Sequence, residues 1–159
     1  SPRMSCLTIH FRPIQKLASY DLSGKEAFVN IKTQSFVDPY NREWFIDLLE
    51  EALLQLDCKK ICVIHGDETL LAEIDENLAD RYVHVTDFED GKKALELYDL
   101  EGVISRNSTL TKSQWDFFKD KGYRSMIFDI KVTSSLNDAL HKKSDYILID
   151  DIVKGIEFK

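Results

Sequence analysis

"KKICVIHGDETLLAEI", residues 59–74, carries the choice of fold in one passage. Within it "KICVIHG" (60–66) is a short apolar run with polar ends. It is too short for a buried helix, and it lacks the in–out alternation of a strand with one wet face. A continuous run of this kind marks a strand buried on both faces, as in a parallel sheet. Asp67 then stands where a helix N-cap belongs, and Leu70, Leu71, Ile74 and Leu78 follow at helical steps. Strand, short loop and helix together make a βα unit.

The same grammar recurs along the chain. Further strands read as "LTIHF" (7–11), "AFVNIK" (27–32), "YVHVTDF" (82–88), "EGVISR" (101–106), "RSMIFDI" (124–130) and "YILIDD" (146–151). From the third strand onward the starts fall roughly 20–23 residues apart, the minimal length of a βα unit with short loops. Helices fill the gaps. Asp38-Pro39 is a cap with proline at the first helical position, and Trp44, Phe45, Leu48, Leu49, Ala52 and Leu53 read as its core stripe. Thr111 and Gln114 form a capping box ahead of Trp115 and Phe118, with Gly122 as the stop. Ala94, Leu95 and Tyr98 mark a short helix, and Leu136, Ala139 and Leu140 mark another opened by Ser134 or Ser135.

The fold class is therefore α/β, a mostly parallel sheet of repeated βα units. A complete eight-unit barrel needs ~200 residues or more. At 159 residues the expectation is a truncated or open TIM-barrel-like domain, or a twisted open sheet. No Pro/Gly/Ser linker divides the chain, so residues 4–159 read as a single α/β domain; Ser1-Pro2-Arg3 ahead of Met4 reads as residue left by a cloning vector.

The formal net charge of −7 argues against nucleic acid or an anionic membrane as partner, since both require clustered Lys and Arg. No apolar run approaches the ~20 residues of a membrane span, and no signal peptide is evident. Three cysteines, Cys6, Cys58 and Cys62, form no framework and suggest reduced thiols, hence a cytoplasmic setting. Cys58, Cys62 and His65 lack a fourth metal ligand, and Cys62 reads as core. Gly-rich phosphate loops, a G-x-S-x-G elbow and an H-E-x-x-H pair are all missing.

In parallel architectures ligands collect at the carboxyl ends of the strands. The strands deliver there His10 and Arg12; Asn30 and Lys32; His65 and Asp67; Asp87; Arg106 and Asn107; Asp129 and Lys131; and Asp150 and Asp151. Histidine beside carboxylates can do acid–base work, paired carboxylates can hold Mg²⁺ or Ca²⁺, and Arg or Lys can clamp phosphate. The same polar ring is also what solvated strand ends and helix caps require. His84, inside "YVHVT", reads as a satisfied or edge histidine.

"FVNIKTQ" (28–34), a long helix and then "KKICVIHGDETLLAEI" resemble part of the glycerophosphodiester phosphodiesterase family and its phosphatidylinositol phospholipase C-like relatives. "KGYRSMIFDIKVTSSLNDALHKKSDYILIDDI" (121–152) is similar to the family's closing pattern, and the likeness spans roughly residues 13–151. It implies a barrel-like fold and metal-dependent cleavage of a glycerol- or inositol-type phosphodiester. By it, Lys32 matches the Lys of a Glu-x-Lys motif and Asn30 stands at the position of its metal-binding Glu. The family's His-Arg-Gly finds only "IHFRP" (9–13), where His10 and Arg12 are not adjacent, and no Glu-x-Asp precedes residue 26. Either the catalytic front of the barrel is missing, or the fold is kept and the chemistry lost.

Two functions follow. In a phosphodiesterase-like domain, Asn30, Lys32 and Arg106 would bind the phosphodiester, His10 or His65 would serve as acid–base, and Asp67, Asp129 or Asp150 would bind Mg²⁺ or Ca²⁺. Alternatively, the acidic chain is a small non-catalytic binder, an inhibitor or immunity-type protein that neutralises a basic protein partner. Exposed strand edges in a half-barrel make a homodimer an expectation as well.

Overall fold

The computed structural model describes residues 6–9, 22–31 and 39–149. Strands and helices alternate there: β1 (Cys6–Ile9), β2 (Glu26–Asn30), α1 (Pro39–Leu54), β3 (Lys60–His65), α2 (Glu68–Ala72), β4 (Asp80–His84), α3 (Phe88–Leu97), β5 (Gly102–Arg106), α4 (Lys112–Asp120), β6 (Arg124–Ile130), α5 (Thr133–His141) and β7 (Tyr146–Ile149). Neighbouring strands are all parallel, and they lie in the sheet in chain order from β1 to β7.

That order decides between the two parallel architectures. Right-handed crossovers that always step to the next strand in one direction lay every helix on the same face. A doubly wound sheet reverses direction and covers both faces; this one does not. The helix-free face must then bury its apolar side chains against itself.

The residues divide accordingly. Ala27, Val29, Ile61, Val63, Val83, Val103 and Ile127 pack with Phe45, Leu49, Leu71, Leu95, Trp115, Phe118 and Leu136 of the helical segments and their flanks. The alternate residues Phe28, Cys62, Ile64, Tyr82, Ile104, Met126 and Tyr146 form a second, separate core. Phe28 on β2 and Tyr146 on β7 are five strand intervals apart, which in a flat sheet is about 24 Å. Their ring centroids lie 5.1 Å apart, edge to face, and Tyr82 and Tyr146 lie 6.4 Å apart. The sheet is curled around its own side chains. This is an open TIM-barrel-like fold, and β1 and β7 do not pair among the described residues.

Large rings inside the curl need a small neighbour. Gly102 supplies it: a Cβ there would stand 2.5 Å from Tyr82 Cε1 and 2.6 Å from the Arg124 carbonyl oxygen.

The caps follow the sequence closely. Asp87 Oδ1 accepts from the N–H groups of Glu89 and Asp90 at 2.8 and 3.2 Å, and Thr111 and Gln114 cap α4 reciprocally. At α5 the helix begins at Thr133, one residue before the earlier of the two serines expected to open it. The Ser135 hydroxyl turns back on Val132, accepting from its N–H at 3.2 Å and donating to its carbonyl at 2.7 Å. One core expectation fails. Trp44 is 58% exposed while Phe45 and Leu49 are buried. Successive helical residues turn by about 100°, so Trp44 falls on the flank of the stripe that Phe45 centres.

Candidate functional site

Parallel pairing brings all strand C-terminal ends to one rim, and the inner row can be followed up to it by twos. Asn30 continues Phe28, His84 continues Tyr82, Arg106 continues Ile104, Phe128 continues Met126 and Leu148 continues Tyr146. The mouth therefore mixes an amide, an imidazole and a guanidinium with two apolar side chains.

Its centre is Phe128. The His84 ring meets it edge to face at 5.3 Å, and the Arg106 guanidinium carbon stands 5.3 Å from the same ring centroid. Arg106 Nη1 also donates to Asp129 Oδ2 at 3.1 Å, and Lys131 Nζ lies 3.0 Å from Asp129 Oδ1. Strict alternation would send the Asp129 side chain outward, away from Arg106. A local irregularity re-aims it. Ile127 and Ile130 both belong to the outer core although they are three residues apart, and the β6–β7 register shifts between them. Asp129 sits in that shift with φ of 67°, a left-handed conformation that Asp tolerates better than most residues.

Electrostatics agree with the geometry. Burial lowers the His84 pKa, and the Arg106 charge lowers it further, so the imidazole is neutral at neutral pH. Hydrogen bonds from Lys131 and Arg106 hold the Asp129 carboxyl below the usual carboxylate range. The Arg106 side chain is 55% exposed, so its pair with Asp129 is screened by solvent. Such an arginine can change partners.

The other sequence candidates are placed differently. His10, Lys32 and Asp150 lie outside the described residues. His65 follows Val63 on the outer row, and its Nδ1 accepts the Asp67 N–H at 2.9 Å, which assigns its own proton to Nε2. Asp67 turns toward the helices: Oδ1 accepts from the Thr69 N–H at 2.9 Å and the Thr69 hydroxyl at 2.6 Å, and Oδ2 pairs with Arg42 at 2.8 Å. Asn107 is buried in a knot with Asp138 and Lys142 that ties α5 to the loop after β5. The structure thus pairs Arg106 with Asp129 at the mouth, leaves Asn30 on the inner row by its parity with Phe28, and sends Asp67 to the α1–α2 side.

A divalent cation needs several oxygen donors at once. Among the described residues no three His, Cys, Asp or Glu side chains come close enough to hold one. Asp129 and Asp67 each give both oxygens to cationic, hydroxyl or N–H partners. The described donor set does not fit Mg²⁺ or Ca²⁺.

Two solved structures share this architecture. One is an Oleispira antarctica phosphodiesterase in complex with the product sn-glycerol-3-phosphate: TM-score 0.65, 19% identity, covering 79% of this chain and 51% of that one. The other is a Galdieria sulphuraria protein assigned as a glycerophosphodiester phosphodiesterase: TM-score 0.60, 14% identity, covering 77% of this chain and 52% of that one. The chain has the fold of the glycerophosphodiester phosphodiesterases. It spans about half the length of the solved structures it matches. No sequence-family model matches it, and no curated protein does.

Within that glycerophosphodiester phosphodiesterase-like fold, His84 is the mouth residue that the sequence reading passed over. The signal was present: it shares parity with Tyr82 rather than with Val83. Phe128 and the left-handed turn at Asp129 were missed too, and for Asp129 no sequence pattern announces the turn.

Proposed function

We propose that the chain is a phosphodiesterase-like barrel domain that takes a glycerol-type phosphate ester at its strand-end mouth. The observation that carries this reading is Arg106. It is an exposed guanidinium at the end of an inner row, over the Phe128 ring and, among the described residues, paired with a screened carboxylate. A guanidinium so placed presents a planar fork of N–H donors matched to phosphate oxygens. Asn30 offers an amide to the ester from β2, and Lys32 lies two residues further along the chain. His84 is neutral, so its imidazole can donate to a phosphate or leaving-group oxygen in reach. The apolar neighbours Phe128 and Leu148 suit the carbon skeleton of a small alcohol. No feature of the described residues favours the acidic-binder reading.

The test is release of sn-glycerol 3-phosphate from glycerophosphodiesters, assayed in chelator and again with Mg²⁺, Ca²⁺ or Mn²⁺, alongside equilibrium binding of the product. The expected result is binding, and any turnover, that is lost in Arg106→Gln. The absence of both binding and turnover under all of these conditions would remove the reading.

A further inference from the structure

We infer that Arg106 and Lys131 form a metal-free anion seat whose built-in occupant is the Asp129 carboxylate, and that a phosphate group binds by displacing it. The inference rests on the ester-binding reading of the mouth and names how that site is held before ligand arrives. Cations from two places, the end of β5 and the segment after β6, converge on the two oxygens of one carboxylate at 3.1 and 3.0 Å. This is the contact pattern that two phosphate oxygens would make with the same groups.

Three observations point to a seat rather than a structural clasp. The first is the route: Asp129 reaches Arg106 only through a register shift and a φ of 67°, so local backbone regularity is given up to bring an anion here. The second is exposure. The Arg106 and Lys131 side chains are 55% and 71% exposed, so the pairs add little to stability and both cations can be reached from solvent. The third is the neighbour: the Phe128 ring lies 5.3 Å from the guanidinium carbon, a contact that favours a cation at this place. Asp129 is 24% exposed, less than either of its partners.

Charge decides the direction of the effect. Arg106, Lys131 and Asp129 sum to one positive charge, and removing the carboxylate leaves two facing the incoming anion. The Asp129→Asn variant is well suited to show this, because Asn also tolerates the left-handed conformation. Asp129→Gly is a second variant with no cost at that φ. Both are made in the full chain, with folding verified by circular dichroism.

Calorimetric titration in EDTA with inorganic phosphate and, separately, sn-glycerol 3-phosphate gives the reading. The two arms distinguish a site for free phosphate from one for its ester. Expected is weak binding to the parent protein, binding tighter by on the order of tenfold in both Asp129 variants, and loss in Arg106→Gln. Unchanged or weaker binding in both variants overturns the inference. So does parent binding that requires Mg²⁺ and is abolished by Asp129→Asn, which would make Asp129 a metal ligand. Tightened binding without any turnover leaves the seat standing and removes only hydrolysis; turnover with unaltered affinity in the Asp129 variants does the reverse.

Discussion

Gly102→Ala sets two effects of opposite sign against each other, and the structure says which is larger. Alanine in a strand interior is favoured over glycine by roughly 0.5–1 kcal/mol, because glycine loses more backbone freedom on folding. If β5 lay in an open sheet with room above it, the substitution would therefore stabilise. In the curled sheet the new methyl carbon would stand 2.5 and 2.7 Å from two atoms of the Tyr82 ring and 2.6 Å from the Arg124 carbonyl oxygen. The ring is fully buried between Gly102 and the Phe28–Tyr146 side of the interior, and the carbonyl belongs to the paired strand β6. Neither neighbour can yield freely, and overpacking of this kind costs about 1–3 kcal/mol. Net destabilisation of about 1–2 kcal/mol is expected, which for a chain of this size lowers Tm by about 2–8 °C. Thermal and urea unfolding measure it. Tyr82→Leu, combined with Gly102→Ala in a double-mutant cycle, should recover a large part of the loss. A stabilised Gly102→Ala, or strict additivity with Tyr82→Leu, would refute the curled interior.

Arg81→Ala should be among the most damaging single changes, costing about 3 kcal/mol, because it strands Glu101 after removing a two-point pair at 2.9 and 3.1 Å with a guanidinium only 5% exposed; a urea midpoint series reads this. Trp44→Ser should stay within about 0.5 kcal/mol, whereas Phe45→Ala should cost about 3–5 kcal/mol, since the first is exposed and the second buried. For Asp67, burial raises the carboxyl pKa, but the Thr69 hydroxyl, the N–H groups of Leu70 and Thr69 and the Arg42 charge outweigh it, and the net shift is downward. A folded-state pKa below the unfolded one means stability that is fully present above about pH 4 and is lost as pH falls through the lower folded value. Asp67→Asn should flatten that acid limb of the stability–pH curve while lowering stability at neutral pH. His84 should titrate below the ordinary ~6.5 of histidine in an NMR pH series, and Arg106→Gln should raise its midpoint part of the way back, since burial, the larger cause, remains.

The fold was legible in the sequence because its determinants are local. "ICVI" in 61–64 shows two buried faces, Asp67, Asp87 and Thr111 stand at real caps, and Pro39 opens α1 as the first helical residue. What was not legible is long-range. Whether seven parallel strands stay open or curl depends on which rings meet across the interior. The Phe28–Tyr146 contact joins residues far apart in the chain, with no periodicity linking them. The site was half visible. Arg106 and Asp129 were legible as strand ends, but their pairing depends on a register shift that breaks the alternation on which such reading relies. Asp67 looked equally polar and equally well placed, yet the Thr69 and Leu70 N–H groups and Arg42 claim it for α2. His84 shows the opposite error: its parity with Tyr82 was readable, and it puts the imidazole in the mouth.

By the proposed reading, the carboxyl ends of these parallel strands form one ligand mouth. Backbone and side-chain NMR of the labelled protein, titrated with sn-glycerol 3-phosphate, tests it most directly. Saturable shifts concentrated at Asn30, His84, Arg106, Phe128 and Asp129 are predicted. Shifts gathered instead at the opposite rim, around Lys60, Asp80 and Arg124, or scattered over the helices without saturation, would contradict it.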